Sequence, residues 1–258
     1  MIEFKDLTIG YSGKKQQQTV IASDINATIN SGQLTCLLGP NGVGKSTLLK
    51  TLTAFLPKLS GQIIIDGNDI ESYTEKQLAR KIGIVLTERT NVQNMTVAEL
   101  VSLGRSPYTG FWGRLEDEDK EMVVEAMRQA GIEHLAHRYV DTLSDGERQR
   151  AMIAKALAQN TPLICLDEPT SFLDFQSKVE MLRLLRRLSN NNGKTIFLST
   201  HDVELALQTA DNLWLMEKGR SLTIGTPRQL ADNGSLNRFF DNDFITFDPA
   251  TLRLIIEA

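Results

Sequence analysis

The 258-residue chain is 41% hydrophobic and 23% charged with a net charge of −4, a balance that excludes disordered, fibrous and collagen-like classes. Its acidic excess speaks against a nucleic-acid surface, and no apolar run approaches the ~20 residues that a transmembrane helix needs. Met1-Ile2-Glu3-Phe4-Lys5-Asp6 lacks the pattern of a signal peptide, so the expectation is a cytosolic protein whose dealings with a membrane run through a partner.

In chain order, Ile2-Glu3-Phe4, Leu7-Thr8-Ile9, Val20-Ile21-Ala22 and residues 25–29 read as strands, with Ser12-Gly13 as a turn and residues 14–18 as a polar hairpin tip. Tyr11 closes the first strand system, where an aromatic ring can stack on a purine or merely cover a sheet. Leu34-Thr35-Cys36-Leu37-Leu38 reads as a buried strand and residues 47–52 as the opening of a helix. Between them Gly39-Pro40-Asn41-Gly42-Val43-Gly44-Lys45-Ser46-Thr47 fits the P-loop pattern G-x-x-x-x-G-K-[ST]. Glycines let successive N–H groups turn toward a polyphosphate, and the helix N-terminus adds its positive dipole end. Lys45 is placed to reach the β- and γ-phosphates, and the Ser46 hydroxyl to ligate Mg²⁺.

Residues 61–67 follow as a strand and turn, 74–80 as a helix with a Thr74-x-x-Gln77 capping box, and 82–86 as a buried strand. Residues 96–159 read as helix after helix. Thr96-x-x-Glu99 caps one, and another runs over 117–130 to a stop at Gly131. The Gly/Pro/aromatic loop at 104–113 either presents a contact surface or tucks its rings into the helical region. The strand Leu163-Ile164-Cys165-Leu166 delivers Asp167 and Glu168 at its C-terminal end, where open α/β sheets bind ligands. Strand side chains alternate, so Asp167 can hold Mg²⁺ while Glu168 faces elsewhere and polarises a water. Met181, Leu184, Leu185 and Leu188 stripe the next helix, which Gly193 ends, and Arg183, Arg186 and Arg187 beside that stripe read as a solvated face. Residues 195–199 form a further buried strand, 202–210 a helix, and hairpins follow around Lys218-Gly219 and Asp248-Pro249. Cys36 and Cys165 sit in apolar runs and read as small core residues.

Leu143-Ser144-Asp145-Gly146-Glu147-Arg148-Gln149-Arg150 opens a helix on which Ser144 is an N-cap or a phosphate ligand. It lies between the P-loop and the acidic strand and resembles the ABC signature, usually Leu-Ser-Gly-Gly-Gln. Pro169-Thr170-Ser171-Phe172-Leu173-Asp174 resembles that family's D-loop, ending in Asp174. His201 matches its switch histidine, and Tyr11 its adenine-stacking aromatic. Over roughly residues 1–230 the chain is therefore similar to ABC ATPases. Leu103-Gly104-Arg105-Ser106-Pro107-Tyr108 and the signature look most like the ATPase subunits of iron-siderophore, haem and cobalamin importers. Two departures stand out. Glu88 occupies the Q-loop position of a glutamine, where it keeps an oxygen for Mg²⁺ but has no amide to donate. Asp145 and Glu147 add negative charge at the signature, so phosphate contact is expected through Ser144 and Gly146 with the acids turned away.

The resemblance implies an α/β fold: a P-loop NTPase core with a RecA-like, mostly parallel sheet, an N-terminal antiparallel β-subdomain and an inserted α-helical subdomain. Residues 1–90 and 160–230 would form the ATP-binding core, 91–159 the helical subdomain and 231–258 a C-terminal extension. Tyr11, Gly39, Asn41, Gly42, Gly44, Lys45, Ser46 and Thr47 would bind ATP. Ser46, Asp167 and Glu88 would hold Mg²⁺, and Lys45, Glu168 and His201 would serve catalysis. The signature residues Ser144, Gly146 and Glu147 would act from a second copy in a head-to-tail homodimer. The partners implied are membrane permease subunits and a substrate-binding protein, with the chain on the cytoplasmic face of the membrane and no nucleic acid. A soluble ABC ATPase of DNA repair, translation or iron–sulfur assembly is the alternative. A small-molecule kinase does not account for the signature or the D-loop.

Overall fold

The computed structural model describes residues 1–13, 18–87, 94–110 and 112–256. Three groups of elements surround the P-loop. The first is antiparallel: β1 (Ile2–Ser12), β2 (Gln18–Ile29), β4 (Ser60–Ile65) and the short β5 (Asn68–Asp69), in the order β2-β1-β4-β5. The second is a six-stranded sheet made of β3 (Leu34–Leu38), β6 (Ile82–Val85), β7 (Leu163–Asp167), β8 (Thr195–Thr200), β9 (Asn212–Leu215) and β10 (Thr223–Gly225). Its order is β10-β9-β3-β8-β7-β6, parallel throughout except for the antiparallel edge strand β10. Every residue of β3, β7 and β8 is buried, as expected of strands covered on both faces.

Helices α1 (Lys45–Leu52) and α2 (Glu75–Leu78) flank the strands; α3 (Val97–Ser102), α4 (Asp117–Ala130) and α5 (Asp145–Ala158) form the helical stretch; α6 (Phe175–Asn192) and α7 (Val203–Thr209) alternate with the later strands. The capping boxes at Thr74 and Thr96 form, and Gly131 and Gly193 end their helices. The N-terminal sheet is fastened to the larger one by aromatic packing. Trp214 on β9 is wholly buried and meets Phe4 and Phe197 edge-on, with ring centroids 5.6 and 4.9 Å away.

Four readings of the sequence change. The breaks expected near Lys5-Asp6 and Ser23-Asp24 are bulges within continuous strands: the β1–β2 register shifts there, and Asp6 and Asp24 take left-handed φ values of 47° and 56°. Gln18, expected at a hairpin tip, starts β2; the rest of that tip, residues 14–17, lies outside the described residues. Two helices were not anticipated after residue 226, α8 (Pro227–Asp232) and α9 (Ser235–Phe240), ahead of the expected hairpin of β11 (Ile245–Asp248) and β12 (Arg253–Ile256). Thr226-Pro227-x-Gln229, a capping box with proline in the first turn, is the signal that marks α8. Finally, the arginines of α6 are not a uniformly solvated face, because Arg186 pairs with Asp211 and Arg187 donates to the Gln129 carbonyl.

The loop after α3 divides between its two readings. Trp112 is 84% exposed, whereas Tyr108 tucks in, its hydroxyl donating to the Gln159 carbonyl at 3.0 Å; Phe111 lies outside the described residues. The Tyr108 ring lies 4.0 Å from the guanidinium of buried Arg105. Arg105 donates to Asp119 Oδ1 and to the Ala158 carbonyl, both at 2.8 Å, and so ties α4 to α5. The Arg105 hydrogen bond holds the Asp119 carboxyl below its ordinary range. Replacing Arg105 with Ala takes away the carboxylate's one cationic partner and leaves it the Glu116 N–H, and urea unfolding at pH 7 should show a loss of about 3 kcal/mol. Because the folded pKa of Asp119 lies below its unfolded value of about 3.9, the pair's contribution is complete above that value and lost as pH falls through the folded one. The gap between wild type and variant should therefore narrow below about pH 4.

Candidate active site

The P-loop leaves β3 after Leu38, curls through residues 39–44 and enters α1 at Lys45. Two glycines are required sterically. At Gly44 φ is 117°, and a Cβ would lie 2.4 Å from Ile21 Cγ2; at Gly39 it would lie 2.6 Å from the Met216 carbonyl oxygen. Lys45 is buried and folds over the loop, its Nζ donating to the carbonyls of Gly39 at 2.8 Å and Pro40 at 3.3 Å. Burial lowers its pKa while the charges of Glu168 and Asp167 oppose that shift. An ammonium held among carbonyls with three rotatable donors can exchange those acceptors for phosphate oxygens. A cavity of about 250 Å³ opens beside it, lined by Tyr11, Asn41, Gly42, Ser46, Thr47 and Glu168 among others. Tyr11 is half exposed at its rim, and its hydroxyl shares a 3.1 Å hydrogen bond with Thr47 Oγ1, which leaves the ring standing beside the start of α1. A larger hollow of about 710 Å³ lies on the other side of residues 39–41, bounded by His201, Phe239 and Phe240.

The two acids diverge, though not by the strand alternation expected from sequence: β7 ends at Asp167, and Glu168 lies past it in a left-handed turn. Asp167 is buried, and its Oδ1 accepts from Ser46 Oγ at 3.1 Å and Ser199 Oγ at 2.6 Å. The Asp167 carbonyl accepts from Thr87 Oγ1 at 2.6 Å. Glu168 takes φ 47° and turns its carboxylate to the loop: Oε1 is 3.9 Å from Lys45 Nζ, while Oε2 accepts from Ser171 Oγ at 3.1 Å and lies 3.5 Å from His201 Nδ1. Lys45, Ser46, Asp167, Glu168 and His201 thus converge at the C-terminal ends of β3, β7 and β8. A serine hydroxyl beside one carboxylate is a hard oxygen donor set that suits Mg²⁺, which takes its remaining ligands from phosphates and water. Among the described residues no cluster of three or more His, Cys, Asp or Glu could hold a metal by itself.

The signature residues are elsewhere. Ser144 caps α5, its Oγ accepting the Glu147 N–H at 3.3 Å while Glu147 Oε2 accepts the Ser144 N–H at 2.8 Å. Arg138 Nη1 meets Glu147 Oε1 at 3.2 Å, so this acid is folded back onto its own helix start. These hydrogen bonds, led by the one from the Ser144 backbone, hold its pKa below the ordinary range. Neither Ser144, Gly146 nor Glu147 lines the P-loop cavity. Asp174 caps α6, accepting from the Ser177 N–H at 2.8 Å. A Cβ on Gly146 would come within 3.8 Å of Ser177 Oγ, so the signature turn adjoins the start of α6. Glu88 lies outside the described residues.

Several polar groups around the site were not singled out from sequence: Thr87, Ser171 and Ser199, and the link in which Thr170 Oγ1 and Lys178 Nζ both donate to Asp202 beside His201. The available signal is a hydroxyl at the end of an otherwise apolar strand, as in Thr195-Ile196-Phe197-Leu198-Ser199-Thr200.

A family profile described as ABC transporter matches residues 22–171. The ferric enterobactin transport ATP-binding protein FepC of Escherichia coli is 38% identical over 236 residues, 92% of this chain and 85% of that protein. The iron(3+)-hydroxamate import ATP-binding protein FhuC of Bacillus subtilis is 37% identical over 248 residues, 96% of this chain and 90% of that protein. Among solved structures, the ATP-binding cassette MJ0796, a dimer in a post-hydrolysis state with ADP and Pi, superposes with a TM-score of 0.75 at 27% identity, covering 88% of this chain and 99% of that one. With the P-loop, the paired acids and the strand order described above, the chain belongs to the ABC transporter family as an ATP-binding, ATP-hydrolysing subunit.

Proposed function

We propose that the chain energises uptake of an iron complex, a siderophore chelate or the related cargoes haem and cobalamin, through a separate membrane permease fed by a substrate-binding protein. The convergence of Lys45, Ser46, Asp167, Glu168 and His201 on one loop supports ATP hydrolysis, and the length-wide likeness to FepC and FhuC supports the cargo class. Residues 1–90 and 160–230 serve as the nucleotide core, 91–159 as the helical arm and 231–258 as an extension, although α8 straddles that last boundary.

ATP lies against Gly39, Asn41, Gly42, Gly44 and Thr47, with Tyr11 stacked on the adenine. Lys45 gives up its carbonyl partners for the β- and γ-phosphates. Ser46 and Asp167, with Glu88 as a further candidate, hold Mg²⁺, which when bound offsets charge on the phosphates. Release of Lys45 toward phosphate frees Glu168 to accept a proton from the attacking water, and His201 positions that water near the γ-phosphate. The water oxygen forms the new bond to phosphorus, the bridging bond to ADP breaks in line, and ADP and phosphate leave. Because Ser144, Gly146 and Glu147 lie outside the P-loop cavity, a second copy supplies them head-to-tail, with each Asp174 near the seam; Ser144 then exchanges its cap contact for phosphate.

No helix among the described residues is long and apolar enough to cross a membrane, which fits a peripheral subunit on the cytoplasmic face. The permease docks in a groove of about 500 Å³ between the core and the helical arm, where Phe55 and Leu103 are 67% and 46% exposed beside Leu78, Ile84 and Pro107. The net charge of −4 accords with a protein that binds no nucleic acid.

Glu168→Gln should keep ATP binding, lower turnover by about 10²–10⁴-fold and accumulate an ATP-bound dimer on size-exclusion chromatography. Turnover near wild type would assign the base elsewhere. Co-expressed with a candidate permease of an iron-complex importer from the same genome, the protein should co-purify with that membrane chain, and Phe55→Asp should weaken the association by about tenfold, or about 1.4 kcal/mol. Failure of the unsubstituted protein to associate would favour a soluble, non-transport ATPase.

A further inference from the structure

One buried hydroxyl stands between the two acids. Ser199, on β8, is fully buried and sits directly across the parallel pair from Asp167. Its Oγ donates to Asp167 Oδ1 at 2.6 Å and accepts the Glu168 N–H at 3.0 Å. The Ser199 carbonyl accepts the same N–H at 3.2 Å. A serine hydroxyl has one proton to give, so its donor capacity is fully committed to the carboxylate of one acid while it grips the backbone of the next. Glu168 needs that grip: its φ of 47° is a conformation that a non-glycine residue keeps only where its surroundings impose it.

We infer that Ser199 is a positioning residue of the ATPase site. It holds the Asp167 carboxylate, which with Ser46 would take the metal, in its orientation through Oδ1, and it fixes the left-handed turn that aims the Glu168 carboxylate toward Lys45 and His201. Ser199 does not line the P-loop cavity and acts only through the two acids. A hydroxyl is required because one side chain must both donate and accept; alanine does neither, and threonine does both. The inference rests on the assignment of Asp167 to the metal and Glu168 to the water.

The test uses the full-length protein. Ser199→Ala should raise the Mg²⁺ concentration for half-maximal binding of a fluorescent ATP analogue by about tenfold and lower kcat by about 10–100-fold, the range typical of lost groups behind a metal ligand. Analogue affinity at saturating Mg²⁺ should stay within about twofold, because the P-loop contacts do not involve Ser199. Ser199→Thr should restore the metal dependence. If the alanine variant does not fold, Ser199→Cys, close in volume but a weak donor, should show the same metal shift. Metal dependence and kcat within about twofold of wild type in the alanine or cysteine variant would overturn the inference. So would equal impairment of alanine and threonine variants that merely tracks their urea midpoints. An unsubstituted protein that neither binds nor hydrolyses ATP would instead bring down the functional assignment itself, which an active wild type with a metal-indifferent Ser199→Ala would leave intact.

Discussion

Two serine hydroxyls meet on a single carboxylate oxygen, Asp167 Oδ1, and that meeting joins three elements which the chain makes far apart. Ser46 arrives from α1, Ser199 from β8, and Asp167 ends β7. Each can arrive only if β3, β8 and β7 lie side by side in parallel register, which their uninterrupted apolar character enforces by burial on both faces. The polar site is therefore a consequence of an apolar one. Shift any of these strands by a residue, and the hydroxyls turn away from the acid.

The periphery serves that junction. The N-terminal sheet carries Tyr11 to the rim of the cavity, and it packs on the core through one apolar cluster in which Trp214 meets Phe4 and Phe197 edge-on. Thr87 fastens the segment leading into residue 88 to the backbone of Asp167. On the far side Asp202, next to His201, receives Thr170 and Lys178, so the loop after β7 and the loop after β8 share one carboxylate. That shared carboxylate is a direct contact between the segment holding Thr170 and the residue next to His201.

What could be read from sequence follows from how local each determinant is. Gly39 to Thr47 is contiguous, and so are Asp167-Glu168 and the capping boxes at Thr74 and Thr96; each states its geometry within a few residues. Bulges defeat the same reasoning, since Lys5-Asp6 and Ser23-Asp24 break the alternation just as a strand end does, and only the partner strand reveals that pairing resumes. The helices α8 and α9 are six residues each, too short for a periodic stripe to register. The network of Thr87, Asp167 and Ser199 spans separations of 80 and 32 residues and leaves no local trace. Glu147 lies between these cases. The sequence placed its charge at the signature and expected the acid turned away, and the capping box with Ser144, completed by Arg138, is the partner set that turns it.

Both cysteines of the chain lie in the central strands, Cys36 on β3 and Cys165 on β7, and both are fully buried. Burial pushes the Cys36 thiol up to about 12 and the Cys165 thiol higher still. Thiolate, the form that reacts with oxidants and alkylating agents, is all but absent at neutral pH for such groups. The folded protein is in effect a thiol-silent scaffold: a single cysteine placed on its surface would be the one handle that a maleimide label finds, and the native pair would report only when the central sheet opens.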